Sequence, residues 1–125
     1  MEAGDPFTHQ QLDEISQLVG MALPQDYRNF ALQYGNAFVG GLVDASDDFP
    51  VLGFMSAEQV ASGIKFDSEY RKNRVIPIAD DELGNVWMLL DDGRVFYVNY
   101  YNTPRVKTEV AASFSDFVAR IVPED

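Results

Sequence analysis

The sequence predicts an α+β domain in which a mostly antiparallel sheet is packed by helices, with residues 1–125 read as one unit. Three observations predict this class. Apolar residues recur at helical spacing through the first 36 positions. Short apolar runs broken by Gly, Pro and Asp fill the middle, and a Ser-led apolar stripe closes the chain.

Thr8 and Gln11 have the spacing of a capping box, and Phe7 with Leu12 stands where a hydrophobic staple clamps the entry turn. From there Leu12, Ile15, Leu18, Val19 and Ala22 form one stripe, and Gly20 is a stop near its end. In LPQDYRNFALQYGN, residues 23–36, Pro24 suits a first helical turn because its missing N–H has no partner to lose there. Asp26 complements the positive end of the helix dipole. Tyr27, Phe30, Ala31 and Tyr34 share a face, which makes them core, and Gly35 with Asn36 can take the left-handed conformation that ends the helix.

After Asn36 the pattern changes. FVGGLVDA and FPVLGF read as strands joined by an acidic turn at Asp47 and Asp48. Ser56 and Gln59 repeat the capping-box spacing and open a third helix through Val60 and Ile64, continuing irregularly toward Tyr70. VIPIA, NVWMLL and RVFYVNYY are three successive strands, the last two joined at Asp92-Gly93 as an antiparallel hairpin. Pro77 cannot donate to a ladder, so its strand belongs at an edge or beside a bulge. RVKTEV is a short strand or a loop. Ser113 with Asp116 starts a final helix carrying Phe114, Phe117, Val118 and Ile121, and the residues past Val122 form a short tail.

Nine Lys and Arg stand against twenty Asp and Glu, a net charge of −11. Such a chain repels nucleic acid, whose phosphates demand a basic stripe, whereas a basic protein is attracted and its encounter accelerated. There is no Cys, so neither disulfides nor thiolate chemistry operate. MEAGDPFTHQQLDEI lacks the basic start and apolar run of a secretory signal, and no stretch reaches the length of a membrane span, so the expected location is cytoplasmic.

Four segments carry a family resemblance. LPQDYRNFALQYGN looks like the LP-acid-aromatic helix and Gly/Asn turn of the SUKH superfamily, and VIPIADDELGNVWMLL is similar to its IPIA strand, Gly-Asn turn and apolar strand. DDGRVFYVNYY resembles its DG hairpin with an aromatic return strand, and SFSDFVARIV its closing SF-x-x-F helix. In this chain the second helix ends in Gly-Asn-Ala, where many relatives carry Asn-Gly-Gly. The superfamily includes fungal cell-wall-assembly regulators and bacterial toxin-immunity proteins. The resemblance therefore implies a protein-binding module, in bacterial members commonly one that neutralises a cognate toxin, often a nuclease.

The residues themselves offer little catalytic chemistry. His9 is the only histidine and falls in the first turn of a helix, and no GxGxxG, GxxxxGK[ST] or HExxH is present. No catalytic, metal or cofactor residue is assigned. Carboxylates are the plentiful reactive groups, in Asp47-Asp48, Asp80-Asp81-Glu82 and Asp91-Asp92, each beside a turn signal where local backbone geometry accounts for Asp. Trp87, Tyr97, Tyr100 and Tyr101 are candidate interface anchors; Trp87 lies in a strand covered on both faces and so is expected in the core, while Val95, Tyr97, Asn99 and Tyr101 share a face open to partial exposure. The expected function is binding of a basic, nuclease-like toxin domain, with Asp80, Asp81, Glu82, Asp91 and Asp92 as the steering acids. A regulatory scaffold for another protein is the alternative, and a carboxylate enzyme the third reading.

Overall fold

The computed structural model describes residues 2–100 and 106–124. It shows an α+β fold in which the described residues form five helices and one seven-stranded sheet. Tyr101 and Arg105 lie outside the described residues.

Helix α1 (His9–Val19) opens with the capping box: Gln11 N donates to Thr8 Oγ1 at 3.1 Å, and Thr8 N donates to Gln11 Oε1 at 2.9 Å. Gly20 closes it in the left-handed conformation. Pro24 is the N-cap of α2 (Gln25–Tyr34), and the helix buries Tyr27, Phe30 and Ala31 as their spacing requires. Gly35 ends it at φ +58°, and a Cβ there would stand 1.7 Å from the Asp5 carbonyl oxygen. Only glycine admits the N-terminal segment, which is pinned by Asp5 N donating to Asn36 Oδ1 at 2.7 Å and Phe7 N donating to the Ala31 carbonyl at 2.8 Å.

Strands β1 (Phe38–Val43) and β2 (Pro50–Phe54) pair antiparallel. Helix α3 (Ala57–Phe66) carries the second capping box, but it does not run on toward Tyr70. Asp67 takes extended backbone angles, and its Oδ1 accepts from Glu69 N at 3.0 Å, capping a separate helix α4 (Ser68–Asn73). A side chain that caps a new turn outcompetes continuation of the old one.

Strands β3 (Val75–Asp80), β4 (Val86–Leu90), β5 (Val95–Asn99) and β6 (Val106–Ala111) follow, so the RVKTEV segment is a strand and not a loop. The sheet order is β6-β5-β4-β3-β2-β1-β7, antiparallel throughout. Pro77 is thus central, and of the two expected places it takes the one beside a bulge and not the edge. It is tolerated because the β3–β4 register shifts between Pro77 and Ala79 and because β2 pairs only with Ala79 and Asp80.

Helix α5 (Phe114–Ala119) stops earlier than its apolar spacing suggests, and β7 (Ile121–Pro123) replaces the expected tail. Ile121, Val122 and Pro123 pair with Val43, Leu42 and Gly41 of β1. A Cβ on Gly41 would lie 2.7 Å from the Val122 carbonyl oxygen, so this edge closes only on a glycine.

The core holds an aromatic cluster: Phe30 meets Phe54 at 4.6 Å and Phe114 at 5.2 Å, and Trp87 meets Phe117 at 4.8 Å between ring centres. Trp87 is fully buried and its indole N–H donates to the Pro50 carbonyl at 2.9 Å. Such rings bury large apolar areas and add edge-to-face attraction, which lets a chain without disulfides hold its fold. Helix α3 covers the sheet at β3, with Gly63 against the Pro77 ring.

Candidate partner-binding surface

The five acids expected to steer a partner do not form one patch. Asp80, Asp81 and Glu82 sit at the β3–β4 turn, and Asp91 and Asp92 at the β4–β5 hairpin, so β4 separates the two groups. A five-residue strand spans roughly 17 Å at about 3.4 Å per residue.

At the hairpin end the acids already have cations. Asp91 lies 3.9 Å from Arg74, Asp92 accepts from Arg94 Nε at 2.7 Å, and Glu109 accepts from Arg94 Nη1 at 3.0 Å. The Arg94 backbone N–H and then its guanidinium hold the Asp92 carboxyl below the usual carboxylate range against a small desolvation cost.

At the other end the three acids differ. Asp81 is buried, contrary to its expected place among exposed turn acids. Its carboxylate accepts from Leu83 N at 2.8 Å, Asn85 N at 2.9 Å, Asn85 Nδ2 at 3.2 Å and the Tyr97 hydroxyl. Asn85, also buried, accepts from Tyr100 N at 3.0 Å and donates to the Tyr97 hydroxyl at 3.1 Å. Four donors on one carboxylate make Asp81 the keystone of the turn. Burial, with the hydrogen bond to Asp81, pushes the Tyr97 hydroxyl pKa up, and Tyr97 faces the core instead of a part-exposed aromatic surface.

Asp80 is half-buried, and its carboxyl is raised by desolvation and then by the neighbouring Asp81 charge. Glu82 is exposed. Beside it lies a groove of about 260 Å³ lined by Leu42, Pro50, Leu52 and Leu83 together with Asp47, Glu82 and Glu124. These three carboxylates have no cationic partner among the described residues. Sequence reasoning missed the contribution of Glu124 because it treated the C-terminus as a tail, and it read Asp47 only as a turn residue. The signal that could have found the groove is Leu83, a large apolar side chain inside an acidic turn.

His9 is exposed at the start of α1, and the described residues contain no cluster of three or more His, Asp or Glu arranged to hold a metal ion. No helix among them is long and apolar enough to cross a membrane. What the geometry offers is a shallow groove lined by apolar and acidic side chains together.

An antiparallel sheet packed by helices and closed by an SF-x-x-F helix defines a small α+β domain. The chain belongs to the SMI1 / KNR4 family (SUKH-1), whose model matches residues 6–120. A search of curated proteins finds no match.

Proposed function

We propose that this protein is an immunity protein, a non-enzymatic module that neutralises a cognate toxin domain by binding it directly. The observation that carries the reading is the family match across residues 6–120 on a chain of net charge −11 whose groove acids have no cationic partner among the described residues. A domain that acts on nucleic acid presents a basic surface, and an acidic protein is attracted to that surface and covers it. The reading has the protein act in the cytoplasm, beside the nucleic acid it protects.

Co-expression tests it. Cells producing the toxin domain encoded next to this gene should survive when the protein is present and die when it is absent, and the two proteins should co-purify at low salt. Equal death in both cases with no complex would overturn the immunity reading in favour of a regulatory scaffold for another protein.

A further inference from the structure

Leu83 is 62% exposed at the tip of the β3–β4 turn, yet the turn uses only its backbone N–H, donated to Asp81. Leu42 of β1 and Leu52 of β2 line a groove together with Leu83. Apolar side chains grouped in this way cost solubility unless something covers them. Around them the charge is one-sided: Asp47, Glu82 and Glu124 line the groove and no cation does so among the described residues. By contrast Lys65, Arg71, Lys72 and Arg74 are carried on or next to α3 and α4.

We infer that this groove is the docking surface for a basic segment of a partner protein, which seats an apolar side chain on Leu42, Leu52 and Leu83 and sets flanking Lys or Arg side chains on Asp47, Glu82 and Glu124. The inference deepens the immunity reading and rests on it for the identity of the partner. Charge selects the occupant. A second copy would bring another net charge of −11 against these acids, and a nucleic acid or anionic membrane would be repelled in the same way. A lone metal ion needs convergent oxygen ligands, and no group of three or more acids is arranged to hold one among the described residues. Acids and apolar side chains lining one groove match a basic peptide segment with an apolar anchor.

Two arms test this. In the first, the 15N-labelled protein is titrated with a short peptide alternating Lys and Leu and with a Lys–Ser peptide of equal charge. The Lys–Leu peptide should shift the amides of Leu42, Leu52, Glu82 and Leu83 and bind about tenfold more tightly, the factor that burial of one leucine supplies. Leu83→Ser should abolish that preference while leaving the circular dichroism spectrum unchanged. Equal binding of the two peptides, or shifts confined to α3 and α4, would overturn the proposal.

In the second arm, a catalytically inactive form of the neighbouring toxin domain is the probe. Glu82→Lys with Glu124→Lys should weaken its binding by about tenfold or more, whereas Glu14→Lys with Glu58→Lys, an equal charge change on α1 and α3, should not. If the wild-type protein binds the toxin and the groove reversals change nothing, the groove is wrong and the immunity reading stands. If the wild-type protein does not bind the toxin, the immunity reading falls, and the peptide arm alone decides the groove.

Discussion

Tyr27 and Phe30 are neighbours on one helix face with opposite consequences for stability. Phe30 is 8% exposed and touches the rings of Tyr34, Phe54 and Phe114, so Phe30→Ala removes those contacts and leaves a cavity. Chemical denaturation should show a loss of about 3 to 5 kcal/mol. Tyr27 is equally embedded, between Phe7 and Phe114, but its hydroxyl is buried without a hydrogen-bond partner. Burial pushes that hydroxyl far above its ordinary pKa, so it stays neutral and contributes only its desolvation cost. Tyr27→Phe should therefore be neutral or stabilising by about 1 kcal/mol in the same experiment. Asp80 bears a comparable cost as a charge. Its folded-state pKa is raised, so its protonated form favours the native state; that stability is fully present below the unfolded carboxylate pKa and is lost as pH rises through the folded value. Asp80→Asn should raise the denaturation midpoint at neutral pH, and the gain should shrink to nothing as pH falls below about 4, near the ordinary Asp value. A mutant no more stable than wild type at pH 7 would mean that Asp80 is better solvated than its half-buried position implies.

Strand β7 exists only because β1 has a glycine at its contact point. Gly41→Ala would press a methyl group against the Val122 carbonyl and the Ile121 side chain, at 2.7 and 2.9 Å. Overpacking of this kind costs about 1 to 3 kcal/mol. The loss should appear locally, as faster amide exchange at Asp44 and Glu124, which donate to the carbonyls of Arg120 and Gly40 across that edge. Unchanged exchange would show that β1 and β7 can separate enough to admit the methyl group. The same edge shows where sequence reading reaches its limit. Capping boxes at Thr8 and Ser56, the α2 face and the Asp92-Gly93 hairpin are written in residues a few positions apart, and the fold obeys them. Val122 carries no local sign that it will pair with Leu42, eighty positions earlier, nor does Asp26 reveal that its carboxylate will accept from the Ser115 N–H and hydroxyl at the start of α5. Arg120, bound to Asp44, Asp116 and the Val110 carbonyl, is equally silent in sequence. The site suffered from the same cause. Asp81 belongs to a local acidic run, but the Tyr97 hydroxyl arriving from β5 helps to bury it, and nothing near Asp81 in the chain announces that contact.

Over the whole molecule, a net charge of −11 sets how the protein meets a partner before any contact forms. Acids paired to Arg74, Arg94 and Arg120 contribute little to the field beyond their immediate surroundings, because each is offset within a few ångströms. The excess therefore resides in acids that have no cationic partner among the described residues, and at one end of the sheet three of these line a groove. The field acts over about 8 Å at physiological ionic strength and is screened by added salt, whereas apolar contacts in a formed complex are not. Binding of the cognate toxin domain should accordingly show an association rate that falls steeply as salt is raised, with a dissociation rate that changes much less. Lysine substitution at Glu82 should flatten the salt dependence of association, since an exposed turn acid contributes little to stability and its loss is felt by the approaching partner alone. Lysine substitution at Asp92 should flatten it less, because that hairpin lies at the far end of β4 from the groove. Stopped-flow kinetics over a salt series decides between them. Equal effects of the two reversals would mean that net charge alone steers the partner, and a salt-independent association rate would mean that the acidic surface takes no part in recognition.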